Sequence, residues 1–254
     1  MRWIAVAVVV FTVAFAPAGG QEPLTVSAAI SLTNALEAIA AAYAEAGGGP
    51  IRFNFAGSNV LARQLVNGAP ADLFVSADAA QMDVVAQAGV IEPGSRVDLL
   101  GNRLAVIARG GAASAPIRRL EDLLRPEVKR IALGDPSAVP AGVYAREYLK
   151  AAGVWAPLES KVVPVANVRA ALTVVENGSA DAAIVYETDA ALSTGATTAF
   201  IVSGPHAPRI IYPAAMVARS RQPEAARRFL SFLRGSAASA IFRRFGFTPL
   251  ATTP

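Results

Sequence analysis

The chain has 254 residues, 54% of them hydrophobic, with 20 Gly, 17 Pro, no Cys and a formal net charge of +4. This excludes a disulfide scaffold, a cysteine-ligated zinc or iron–sulfur centre, and a disordered or collagen-like chain; the length suits one large domain or two small ones. Lys and Arg (23) only slightly outnumber Asp and Glu (19), and no basic run exceeds two residues, so the electrostatic footprint of a nucleic-acid binder is missing.

The chain opens with one charge, Arg2, an unbroken apolar run from Trp3 to Ala16, and the small residues Ala16-Pro17-Ala18. These are the parts of a secretory signal peptide, with cleavage expected after Ala18. The run is short for a membrane span, and no later stretch is long enough to be one. With no Cys there is no lipid-attachment site, so the mature chain, residues 19 onward, is expected to be free and soluble beyond the membrane.

From residue 24 apolar runs alternate with amphipathic ones. LTVSAAI (24–30) reads as a buried strand, and the helix that follows places Leu32, Leu36, Ile39 and Tyr43 on one face before Gly47–Gly49 stops it. IRFNFAG (51–57), ADLFVSA (71–77), RLAVIAR (103–109), RIALGD (130–135), KVVPVA (161–166), ADAAIVY (180–186) and AFIVSG (199–204) are further strand candidates. Helices are expected at 58–68, 79–88, about 141–152, 167–177, 222–234 and 235–245. Such alternation implies crossover units and mainly parallel sheet.

The strands are too many for one sheet of ordinary size, which predicts an α/β chain of two lobes, with a single larger doubly wound sheet as the alternative. The extended segments 99–108 and 209–219 are the candidates for passing between them, with the C-terminal helices returning to the first. The expected division is 24–100 with 216–254 as lobe I and 101–215 as lobe II.

Catalytic constellations are absent. The single histidine, His206, lies in a loop-like stretch, SGPHAPR, and there is no G-x-S-x-G elbow, H-E-x-x-H or Walker loop. Most carboxylates read as solvated or capping groups. Asp135 and Asp189 lie near strand ends, but no histidine or third acid accompanies them as a catalytic or metal site would need. The expectation is that the chain is not an enzyme and carries no cofactor or resident metal.

What remains is a set of small and hydroxyl residues where strands end and helices begin: Ser31, Thr33 and Asn34; Gly57, Ser58 and Asn59; Pro140, Ala141 and Gly142; Asn167 and Val168. Ligands of open parallel sheets bind at that end, and free N–H groups with the helix dipole favour anions there without any cationic side chain. Each residue alone also reads as an ordinary helix cap. Tyr186, at a strand end in an apolar run, also reads as core packing.

AISLTNALEAIA, FNFAGSNVLARQLVNGAPADLFVSAD, LLGNRLAVIA, LGDPSAVPAGVYAREYL, NVRAALTVVENGSADAAIVYETDA and IFRRFGF occur in this order. They resemble the periplasmic molybdate-binding proteins of ABC transporters over about residues 24–248. The resemblance implies a type II periplasmic binding protein fold whose two lobes close by hinge bending on molybdate, and on tungstate, and a protein that hands the oxyanion to a membrane permease. The signal peptide without a lipid-anchor Cys points to the periplasm, and with no sign of oligomerisation a monomer is expected.

It also implies a ligand set: the serine of A-x-S-L-T-N, Ser31; the serine after F-A-x, Ser58; the N–H of Ala141 in V-P-A-G; the N–H of Val168 in N-V-R; and the phenol of Tyr186 in I-V-Y. Gly57 departs from the serine frequent in relatives, and its backbone freedom is expected to tune affinity. Arg63, Arg103 and Arg169 are expected outside the cage. A donor-only cage suits a fully deprotonated tetrahedral oxyanion, with molybdate and sulfate separated by size. The alternatives are a binder of another oxyanion, sulfate or tungstate alone, or a secreted enzyme on an anionic substrate.

Overall fold

The computed structural model describes residues 22–110 and 116–250. The expected signal segment, 1–18, lies outside the described residues. Two sheets carry the fold. The first takes strands β1 (Leu24–Ala29), β2 (Ile51–Ala56), β3 (Leu73–Val75), β4 (Val97–Asn102), β10 (Ile210–Met216) and β11 (Thr248–Pro249), in the order β11-β4-β10-β3-β1-β2. The second takes β5 (Leu104–Arg109), β6 (Ile131–Gly134), β7 (Val162–Val165), β8 (Ala182–Tyr186) and β9 (Ala196–Ile201), in the order β7-β6-β8-β5-β9.

The helices are α1 (Thr33–Glu45), α2 (Ser58–Val66), α3 (Ala79–Gln87), α4 (Pro140–Ala151), α5 (Trp155–Glu159), α6 (Val168–Glu176), α7 (Glu187–Ala190), α8 (Pro223–Arg234) and α9 (Ser236–Arg244). Helix α1 buries Leu36, Ile39 and Tyr43 on the expected face, and Gly47 ends it at φ +82°. Proline opens α8, where its missing N–H costs nothing, and Phe229 of α8 meets Tyr43 edge-on at 5.0 Å. The C-terminal helices thus return to the first sheet, as the sequence implies.

The expectation of mainly parallel sheet needs a correction. Crossover units make β1, β2 and β3 parallel, and likewise β6, β7 and β8. Strand β10 is antiparallel to β3 and β4, and β5 is antiparallel to β8 and β9. The cause is connectivity: β5 and β10 each arrive from the other sheet, entering at the end where the parallel strands finish, and so run the opposite way.

Of the two expected crossing segments, 99–108 does pass between the sheets and 209–219 does not. Segment 99–108 is two strands, β4 and β5, separated by Arg103 alone. Segment 209–219 does not pass between sheets, because β10 pairs wholly within the first; the second crossing lies between β9 and β10. Residues 210–215, expected with the second lobe, therefore belong to the first sheet. All the parallel strands end at the face where the two sheets meet, and the site lies there.

Candidate binding site

Strand ends and helix starts converge on one small pocket between the two sheets, and Ser31, Ser58, Ala141, Val168 and Tyr186 all line it. Ser31 follows β1, and Ser58 is the first residue of α2 after β2. Ala141 lies in the first turn of α4 after β6, Val168 opens α6 after β7, and Tyr186 ends β8. The two serines come from the first sheet's side and the other three from the second. Ile30, Gly57, Val139, Pro140 and Asn167 complete much of the wall. No Lys or Arg lines it, and none of Arg63, Arg103 or Arg169 does.

The wall holds several hydrogen-bond donors among apolar residues. In α2 the N–H groups of Val60 and Leu61 bond back to Gly57 O, and in α4 that of Val143 bonds to Val139 O. In α6 Ala170 N–H donates to the Asn167 side chain, which caps the helix as the sequence suggests. The N–H groups ahead of these, at Ser58, Asn59, Ala141 and Val168, have no carbonyl to bond within their helices, and three helix dipoles end positive at one point.

Both serine hydroxyls and the Tyr186 phenol are buried. Ser58 Oγ accepts from Ala77 N–H at 2.9 Å, which leaves its own proton free to donate. Tyr186 Oη is buried without a hydrogen-bond partner, and burial pushes the pKa of the Tyr186 and Tyr212 phenols well above the ordinary value. Both phenols therefore keep their protons. An orphaned buried hydroxyl costs about 1–3 kcal/mol, so one facing a cavity calls for an acceptor there.

Gly57 acts through space and not through backbone freedom. Its φ of −60° is open to any residue. A Cβ there would lie 2.8 Å from Asn59 Oδ1 and 3.5 Å from Ala166 O of the other half. Asn59 fills the room that a serine would take, and this corrects the expectation about its conformational freedom.

The carboxylates near the strand ends have structural roles. Asp135 accepts from the N–H and hydroxyl of Ser137, which hold it below the usual carboxylate range. Asp189 is fully buried and ion-pairs with Arg169, whose Nη2 also reaches Asn34 Oδ1 of α1 at 3.0 Å, joining the two halves. Burial raises Asp189 to about 7 against the pull of Arg169. Arg103 makes a bidentate pair with Glu187, and His206 is exposed in a turn. No group of three potential metal ligands occurs among the described residues.

Residues 24–248 match the bacterial extracellular solute-binding proteins. The chain belongs to that family. This solute-binding family member is 37% identical over 243 residues to the molybdate-binding protein ModA of Escherichia coli, covering 94% of this chain and 93% of that one. Its fold matches the periplasmic molybdate-binding protein of Azotobacter vinelandii with a TM-score of 0.77 at 24% identity, covering 91% of this chain and 99% of that one. It matches the sulfate-binding protein SubI of Mycobacterium tuberculosis with a TM-score of 0.78 at 21% identity, covering 90% and 87%. One architecture thus serves more than one tetrahedral oxyanion, and the wall must make the choice.

Sequence reasoning missed two residues of this solute-binding site. Tyr212 donates into or accepts from Ser31 Oγ at 3.1 Å, and Asn102 Nδ2 reaches Tyr212 Oη at 3.2 Å. Tyr212 sits in an apolar strand and looks like core by pattern; only the pairing of β10 with the first sheet brings it under the site.

Proposed function

We propose that the protein binds molybdate, and tungstate of the same charge and shape, between its two halves and passes it to a membrane ABC permease. On this reading it is a monomeric periplasmic carrier, exported by its first 18 residues, and not an enzyme. The observation that carries it is a wall with no cation that gathers two serine hydroxyls, an orphaned tyrosine phenol and the first turns of three helices. The 37% identity to a molybdate-binding protein along nearly the whole chain supports the choice of ligand.

A dianion leaving water needs a near-complete shell of donors, and hydrogen bonds to charge contribute about 1.5–3 kcal/mol each. Neutral donors hold molybdate, which carries no proton, without offering the acceptor that a protonated oxyanion would need. Because donors come from both halves, the closed arrangement binds better, and ligand shifts the protein towards it. Arg103 and the link between β9 and β10 are where the chain bends.

Calorimetric titration of Ser31→Ala and Ser58→Ala tests the site. Each variant should bind molybdate about 10- to 100-fold more weakly than wild type, since each loses one buried donor to charge. Unchanged affinity in both would place the ligand elsewhere. Sulfate bound in preference to molybdate by the wild-type protein would favour the sulfate reading that the fold also allows.

A further inference from the structure

Ser31 touches the cavity with a hydroxyl whose proton could face either way, and a hydrogen-bond relay behind it decides which. The relay starts at the Arg103 N–H, which donates to Asn102 Oδ1 at 2.8 Å. That bond settles which end of the amide is nitrogen. Asn102 Nδ2 then donates to Thr188 Oγ1 at 3.0 Å and to Tyr212 Oη at 3.2 Å. Tyr212 is fully buried, Ser31 Oγ lies 3.1 Å from its hydroxyl, and the Tyr186 ring packs beside it with centroids 5.6 Å apart. With one lone pair of its oxygen occupied by Asn102, the phenol has its proton available for Ser31.

We propose that Tyr212 and Asn102 are positioning residues that make the Ser31 hydroxyl an obligate donor to the ligand, and thereby set the rejection of oxyanions that carry a proton. The inference rests on the oxyanion site proposed above and names the residues that give it selectivity. Ala77 N–H does the same for Ser58, so both serines arrive with an acceptor position already engaged. Hydrogen phosphate, which bears a proton wherever molybdate bears none, then meets a donor at both serines. The relay runs from Thr188 on the second half, through β4 and β10, to Ser31 on the first.

The test is the ratio of molybdate to hydrogen phosphate affinity, measured by displacement in wild type, Tyr212→Phe and Asn102→Ala. Removing the phenol frees Ser31 Oγ to accept from the ligand. Tyr212→Phe should lower molybdate affinity about tenfold and hold or raise phosphate affinity, so that the ratio falls about tenfold or more. Asn102→Ala, which leaves the Tyr212 ring in place, should move it the same way. Melting each variant without ligand checks that it is folded.

An unchanged ratio overturns the proposal, whether both affinities fall together, as a merely structural role would have it, or neither moves. Phosphate binding that stays undetectable in both variants while molybdate binding is retained in full also overturns it. Wild-type protein that binds no molybdate would instead overturn the reading of the site itself, before any variant is compared.

Discussion

Replacing Arg169 by alanine is expected to destabilise the protein by about 3–5 kcal/mol at about pH 8, because it strands a buried carboxylate. Asp189 has no exposed surface, its Oδ1 is held by Arg169, and its Oδ2 has no partner. The guanidinium is the counter-ion pulling that acid down, against burial that pushes it up to about 7. A folded-state value raised above the unfolded 3.8 means that Asp189 favours the folded state most at low pH, and that this contribution is lost as pH rises through about 7.

Without Arg169 the carboxyl rises further, and the deficit grows with pH. Urea unfolding should therefore show a loss that is larger at about pH 8 than at about pH 5 by roughly 1.4 kcal/mol, since at the lower pH the acid is protonated in both proteins. Adding Asp189→Asn to Arg169→Ala should recover the pH-dependent part of that loss. Equal destabilisation at both pH values would contradict this account of the pair. The same substitution removes the link to Asn34, so molybdate should also dissociate faster from the variant.

Gly142→Ala should be the most damaging single-methyl change near the site. A Cβ at Gly142 would lie 1.8 Å from Gly134 O, 2.5 Å from Gly134 C and 2.9 Å from Asp135 O. These are backbone atoms of the β6 end, so no rotamer relieves the contact, and the first turn of α4 must move away. Overpacking of this kind costs about 3 kcal/mol or more, roughly a 10 °C fall in melting temperature for a chain of this size. Ala141, which lines the cavity, is the preceding residue, so binding should fall beyond what stability alone explains. A variant with wild-type melting and molybdate affinity would show that β6 and α4 are not packed this closely.

Much of this arrangement is legible before any coordinates. Ser31, Ser58, Ala141 and Val168 stand where an apolar run gives way to a helical one, and parallel crossover units bring such positions to one edge of a sheet. Leu36, Ile39 and Tyr43 announce the buried face of α1 by spacing alone. What pattern does not disclose is non-local. The opposed direction of β5 and β10 follows from the order in which the chain visits the two sheets, and apolar runs look alike in either direction. Tyr212 is hidden for the same reason: a tyrosine among Ile, Pro and Ala reads as core until its strand neighbours are known.

The Asp189–Arg169 pair is similar, since twenty residues separate its members and nothing local marks the acid as buried. Gly57 shows the opposite error, in which a local rule about glycine is available and is not the operative one. The space beside its backbone is occupied by Asn59, a contact that only the packed structure reveals.

The central claim is that this cavity holds a proton-free tetrahedral oxyanion, and a thermal melt of the mature chain with molybdate, tungstate, sulfate or phosphate at equal concentration tests it most directly. Ligand at a hundred times its dissociation constant stabilises the fold by about 2.7 kcal/mol, which should raise the midpoint by roughly 5–10 °C. Molybdate and tungstate should give that shift, sulfate much less, and phosphate essentially none. A shift with phosphate equal to that with molybdate, or no shift with any of the four, would contradict the account.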